Sequence, residues 1–210
     1  MGLSVSKADY SIRSITKTEC TDLLQKHHYL TGLSRGFKSG DNYGLMYPEP
    51  EEDAFFKTNK PLDKIVGVCI FTGLPVPELS KSMFGLDRNN QEGFYELSRL
   101  VLHPDHQTEH NLAGWFVARA MKELKENNDV RAILSYADND YHSGTVYKAL
   151  GFDYYGLTDP KPDFWIRQED GTFIKHNRGP TKHLEGEWRP RSRKHRFLKV
   201  FDNSLEVKWT

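Results

Sequence analysis

The side chains of this 210-residue chain that are best suited to chemistry stand at the ends of patterned segments. His28 and Tyr29 follow a helix-like segment that ends at His27, and Asp138 follows the strand-like run Val130 to Tyr136. Both positions face the cleft of an open sheet. An imidazole, a phenolate and a carboxylate gathered there would suit a hard or borderline ion such as iron. The plainer alternative for His27 and His28 is a helix C-terminus, where a cation complements the dipole. Ser98 offers a hydroxyl from within a strand, able to hydrogen-bond a polarised carbonyl, and Tyr147 offers a phenol that can protonate a departing anion. With Asp138 these are the catalytic candidates, although Ser98 could equally be a satisfied strand serine and Tyr147 a core aromatic beside Phe152. Arg99, a cation in an otherwise apolar strand, needs an anionic partner, and Glu96 is the local alternative to a substrate phosphate.

A repeated order of strand, loop and helix must position these residues. Phe94 to Leu102 alternates and then turns apolar, stopping at His103-Pro104. Asn111 stands where a helix is capped, and Leu112, Trp115, Phe116, Ala120 and Leu124 recur at spacings of three and four, which predicts a helix over Leu112 to Lys125. Val130 to Tyr136 reads as a buried strand running into the turn formers Ala137 to Asp140. A second helix is predicted over His142 to Leu150, closed by Gly151. Two such steps leave helix N-termini at one edge of the sheet, where backbone N–H groups bind phosphates without any required side chain. Leu102, Asn111, Leu112, Ala113 and Gly114, together with Tyr147, are therefore the candidates for holding a phosphate-bearing cofactor. For Ala113 and Gly114, close packing of helix on strand is the equal alternative.

Upstream, Tyr10 to Ile15 is a predicted strand, and Thr16 or Thr18 caps a predicted helix over Glu19 to His27. Tyr43 to Tyr47, Lys64 to Phe71 and Phe94 to Leu102 form an antiparallel meander, with Gly73 to Gln91 expected as a long loop. Asp153 to Leu157 and Phe164 to Arg167 add two strands. The expected fold class is α/β (α+β), with a mixed, mostly antiparallel central sheet flanked by helices. Residues 1–174 would form the catalytic domain, and 175–210 a basic extension packed on it or continuing it.

Twelve Phe, ten Tyr and four Trp can fill a core. No stretch approaches the roughly 20 apolar residues of a membrane span, and MGLSVSKADYS lacks a secretory hydrophobic region. Cys20 and Cys69 stand far apart, which suggests neither a zinc ribbon nor a disulfide framework. A cytoplasmic protein with no membrane partner is expected. The net charge of zero conceals a tract from Lys175 to Lys199 with nine basic residues against two acids. Such a tract aims at nucleic acid or is a solvated tail. Alternation over Arg196 to Phe201 favours a strand, and with it Arg191, Arg193, Lys194, His195 and Arg196 as DNA contacts.

The element order from Phe94 to Ala149 resembles the way GNAT-type acyl-coenzyme A transferases build their cofactor cleft. More specifically, Glu96 to Leu102, Asn111 with Trp115-Phe116, Ile133 to Asp138, His142 to Tyr147 and Arg193 to Phe197 resemble the Mom-type DNA-modifying proteins of bacteriophages, a divergent GNAT branch. The likeness runs from about Ile12 to Phe201. It implies acetyl-CoA as cofactor and the addition of a carbamoylmethyl (acetamido) group to the exocyclic amine of adenine in DNA, protecting phage DNA from restriction. Carried over by motif, it implies a metal site at His28, Tyr29 and Asp138, with Ser98 and Tyr147 in the acyl-CoA cleft. Arg193, Lys194, His195 and Arg196 would lie on the DNA side. The loop before Gly114 departs from the usual GNAT pattern, with Asn111-Leu112-Ala113-Gly114 preceded by Asp105 and Glu109.

The implied product has a chemical consequence. Adenine's amine is conjugated with its ring and feebly nucleophilic, and ordinary attack on a thioester would give an N-acetyl amide. A carbamoylmethyl group is joined through the former methyl carbon, so redox or Lewis-acid assistance from an ion is implied. A stacked adenine must also be flipped out, with Tyr43, Tyr47, Phe55 and Phe56 as aromatic candidates. Two alternatives are a GNAT N-acyltransferase acting on a protein or small amine, and a catalytically inactive nucleic-acid-binding protein of the same fold.

Overall fold

The computed structural model describes residues 7–28, 37–48, 63–176 and 179–210. Its alternating segments become strands β1 (Ser11–Ser14), β2 (Asp41–Pro48), β3 (Asp63–Gly73), β4 (Phe94–Leu102), β5 (Ala132–Asp138), β6 (Asp153–Leu157), β7 (Pro162–Arg167), β8 (Phe173–Lys175), β9 (Gly186–Pro190) and β10 (Lys194–Val200). The helices are α1 (Lys17–His27), α2 (Glu78–Phe84), α3 (Leu112–Asn127) and α4 (Thr145–Ala149). None of the described helices is long and apolar enough to cross a membrane.

Seven strands form one sheet in the order β1-β2-β3-β4-β5-β10-β6, antiparallel throughout except where β4 meets β5. β10 reaches it from the far end of the sequence and pairs with β5 from Lys194↔Asp138 to Val200↔Ala132. The basic tract thus ends inside the main sheet. Phe164 to Arg167 takes a different course from Asp153 to Leu157: β6 joins the main sheet, whereas β7 lies at the centre of a separate three-stranded sheet, β8-β7-β9.

Local chemistry explains the helix boundaries. Thr16, not Thr18, caps α1: its hydroxyl accepts from Glu19 N–H while the Glu19 carboxylate accepts from Thr16 N–H at 2.7 Å, a reciprocal capping box. The expected loop over Gly73 to Gln91 contains α2, a seven-residue helix whose Met83 and Phe84 are buried. Asn111 stands at the N-cap of α3 in the left-handed region at φ 55°, and its side chain makes no capping hydrogen bond. The helix expected from His142 starts only at Thr145, because the chain after Asp138 first turns back on itself and Gly144 then takes φ 72°. In that turn the N–H groups of Tyr141 and His142 both donate to the Asp138 carbonyl, each at 3.0 Å.

One face of the sheet packs against α3, with Phe116, Val117, Ala120 and Leu124 fully buried over Leu45, Cys69, Phe71, Ile133 and Phe197. Gly67 makes this approach possible, since a Cβ there would press into Leu102, Leu45 and Phe116. The opposite face carries two separate apolar clusters, one under α1 and one under α2 and the C-terminal segment. Gly144 needs both its positive φ and its missing Cβ, which would collide with the Phe197 ring. Gly144→Ala should therefore cost about 2–4 kcal/mol of stability, read as a shift in the denaturant unfolding midpoint.

Candidate active site

β4 and β5 pair in parallel only between Phe94–Leu97 and Ala132–Ser135. Beyond that point β5 keeps β10 and β4 keeps β3, so their facing edges part. A bulge marks the place: Leu97 pairs with Phe71 and Arg99 with Ile70, leaving Ser98 as the extra residue. A bulge bends a strand and increases its twist, which carries β4 away from β5. The Ser98 hydroxyl donates to the Ile70 carbonyl at 3.2 Å, so the strand-serine alternative is realised while the residue also lines the opening.

Two adjoining cavities, of about 570 and 280 Å³, fill the gap and share His28, Leu100, His142 and Val146. The larger runs along Leu100–Leu102 to the start of α3 and is lined by Asn111, Leu112, Ala113 and Gly114. The smaller holds Leu97–Leu100, Tyr136 and the start of α4 with Tyr147. The structure therefore gathers Leu102, Asn111, Leu112, Ala113 and Gly114 in one cavity and Ser98 with Tyr147 in its neighbour. A Cβ on Gly114 would meet the Asn111 side chain; close packing of helix on sheet is served by Gly67 instead. Tyr147 is buried, with its ring against Phe152 and Phe197 at 5.8 and 5.2 Å. Its packing role and its place on the cavity wall coexist.

These surroundings can accept a pantetheine nucleotide. The parted strands present unpaired backbone groups to an amide-bearing arm, and the first turn of α3 presents N–H groups to phosphate. Among the described residues the lining of the larger cavity contains no Lys or Arg, which leaves that task to backbone dipoles beside one acid, Glu109.

Burial sets the titration of the histidines here. His28, at the C-cap of α1, is 8% exposed, and burial, then Arg99 and His142, lower its pKa to about 4. His142 is lowered mainly by burial and by His195, against an opposing pull from Asp138. His142 lines both cavities, although in the sequence it stands only as a predicted helix start. It stands just after the turn at the end of β5, the same strand-end position that singled out Asp138.

Among the described residues no group of three or more His, Cys, Asp or Glu side chains is arranged to hold an ion. Tyr29 lies outside the described residues, as do Phe55 and Phe56. Asp138 is buried but absent from both cavity linings, and its Oδ1 accepts from the Ser192 hydroxyl and from Asp140 N–H. His142 is the histidine that lines both cavities together with His28.

The basic tract also looks different in three dimensions. Arg191 and Lys175 both pair with the buried carboxylate of Asp163, so the charge of the exposed Arg191 is matched within the chain. Arg189 pairs with Glu187, and Lys199 donates to the carbonyls of Leu150 and Gly151 at the end of α4. Arg196 lies over the Trp209 ring at 4.8 Å. His195 shares a 2.9 Å hydrogen bond with Tyr154, and Arg193 is exposed, with Nε donating to the Thr158 carbonyl at 2.6 Å.

A sheet in this strand order, split between its fourth and fifth strands beside a helix start, is the fold of the GNAT acyltransferases. Similar solved structures include NAA60 of Arabidopsis thaliana in complex with acetyl-CoA (TM-score 0.53, 9% identity, covering 91% of this chain and 99% of that one). The IAA acetyltransferase of Bacillus cereus is another (TM-score 0.51, 12% identity, 91% and 99%). A GNAT-family acetyltransferase of Streptococcus pneumoniae is similar too (TM-score 0.50, 11% identity, 91% and 99%). At these identities the likeness is one of fold. No curated protein matches the sequence. Residues 9–207 match the Mom protein family, and the chain belongs to it.

The low His28 pKa fixes a direction of pH dependence. Between pH 6.5 and about 4 the unfolded chain takes up a proton that the folded chain refuses, so stability falls as pH falls through that window. For His28 the loss reaches about 3 kcal/mol, and His28→Gln should flatten the dependence of the unfolding midpoint between pH 7 and 4.5.

Proposed function

We propose that the protein is an acetyl-CoA-dependent transferase that modifies the exocyclic amine of adenine in DNA and so protects that DNA from restriction. One observation carries the reading: in a chain of the Mom protein family, the bulge at Ser98 opens β4 from β5 directly beside the start of α3. Bound there, acetyl-CoA supplies an activated two-carbon unit.

The chain's own groups would then divide the work. Backbone N–H groups at Ala113 and Gly114 receive the pyrophosphate, and the free edges of β4 and β5 pair with the pantetheine amides. Ser98 and the backbone around it orient the thioester carbonyl, and Tyr147 holds the proton that the departing thiolate takes. Arg193 and Lys194 meet the DNA backbone, with His195 and Arg196 acting from more enclosed positions; Tyr43 is buried and does not face the base.

Nucleoside mass spectrometry on DNA from cells expressing the protein should find a modified deoxyadenosine, and its mass separates an acetyl from a carbamoylmethyl group. Unmodified DNA from cells that hold folded protein would refute the assignment. Tyr147→Phe should slow modification by about 100-fold with little change in KM. Joint Arg193→Glu and Lys194→Glu substitution should reduce the slope of log affinity against log salt by about two, whereas Arg191→Glu should show chiefly as lost thermal stability.

A further inference from the structure

The sheet face opposite α3 has two apolar clusters, and the strip between them is polar. Strand alternation assigns its members. Glu96 shares a face with Phe94, Tyr136 with Ala132 and Leu134, and Lys194 and Arg196 with Leu198, all on the side of α2. Beyond the bulge, Arg99 shares its face with Val101 on the side of α1. A sheet face that has helices on both sides and still sets aside this strip for ionisable groups is built for something polar.

Glu96 lies at the vertex of the split, opposite Leu134 in the last rungs of the parallel ladder. It is half-buried, and among the described residues nothing donates a hydrogen bond to its carboxylate or forms an ion pair with it. Tyr136, on the neighbouring strand, lines the smaller cavity, and its hydroxyl likewise has no hydrogen-bond partner among the described residues. Arg99 donates to the adjacent Ser98 carbonyl at 2.6 Å, and among the described residues the rest of its fork has no hydrogen-bond partner. Two half-buried polar groups on adjacent strands, both short of partners, converge where the strands part.

Burial raises the Glu96 pKa, against the opposing influence of Lys194, Arg99 and Lys38. In its protonated form, which burial favours, the Glu96 carboxyl offers an O–H donor and a C=O acceptor side by side. The Watson–Crick edge of an extruded adenine offers the matching pair, the N1 acceptor and an N6–H donor.

We propose that Glu96 is a positioning residue that grips the N1 and N6 edge of the extruded adenine, with the Tyr136 hydroxyl beside it, so that N6 is held at the vertex of the split. This rests on adenine being the base acted upon. It places the nucleic acid on the α1 and α2 side of the sheet and the cofactor between the strands, so the two ligands meet through the gap in the sheet.

The test compares single-stranded oligonucleotides carrying one adenine, one 1-deazaadenine or one abasic site, with affinity measured by fluorescence anisotropy. Wild-type protein should bind adenine about tenfold more tightly than 1-deazaadenine, which lacks the N1 acceptor. Glu96→Gln keeps a donor beside an acceptor at nearly the same volume and should retain that ratio. Glu96→Ala should lose it and modify adenine at least about tenfold more slowly. Equal discrimination by Glu96→Ala and wild type would overturn the role of Glu96 alone. Loss of discrimination in Glu96→Gln, with an unchanged melting temperature, would also overturn it, since a group needed as a proton acceptor fails as an amide. Wild-type protein that binds adenine no better than an abasic site would instead overturn the choice of substrate base, and this inference with it.

Discussion

Where β4 and β5 stop sharing hydrogen bonds, two rows of backbone donors and acceptors are left inside a folded sheet, and each such group costs about 1–3 kcal/mol if nothing satisfies it. Water or a ligand has to meet them. The gap is held open from both sides: Ser98 adds a residue that bends β4 outward, and β10 claims the other edge of β5 along its whole length. Closing the gap would require removing the bulge and slipping the register of β4, which would turn Phe94 and Leu97 out of their clusters. The same parting that exposes the strand edges opens a passage through the sheet, with α3 and α4 on one side and the polar strip on the other.

Much of this could be read from residue order. Alternation located the strands of the main sheet, and the three-and-four spacing of Leu112, Phe116, Ala120 and Leu124 located α3, because these patterns record burial on one face. Three features were hidden for physical reasons. α2 is only seven residues long and follows a stretch with two prolines, so it offers no two full turns of periodicity. The late start of α4 depends on a turn around the Asp138 carbonyl and on the left-handed Gly144, and His142 looked helical without it. The bulge at Ser98 is a matter of pairing with β3, which a single strand's sequence does not display.

Charge was the poorest guide. Counting basic residues from Lys175 to Lys199 suggested one cationic face, but Asp163 draws in Arg191 and Lys175, Glu187 takes Arg189, and Lys199 answers the carbonyls that end α4. These are structural attachments among β7, β8, β9 and the main sheet. Glu96, by contrast, stood in the sequence as a local partner for Arg99, yet no ion pair joins them, and it lies in the last rungs of the β4–β5 ladder. A side chain's neighbours along the chain say little about which charges reach it across strands.

β10 separates β5 from β6 in space although β6 precedes it by some forty residues in sequence, so the centre of the sheet waits for a strand synthesised late. Until that strand arrives, β5 has no partner on its outer edge, Phe197 is missing from beneath Tyr147 and Gly144, and the end of α4 lacks the Lys199 ammonium. The finished cleft therefore depends on a long-range closure, the seating of β10 between β5 and β6. The cleft is thereby withheld until the sheet has closed around it.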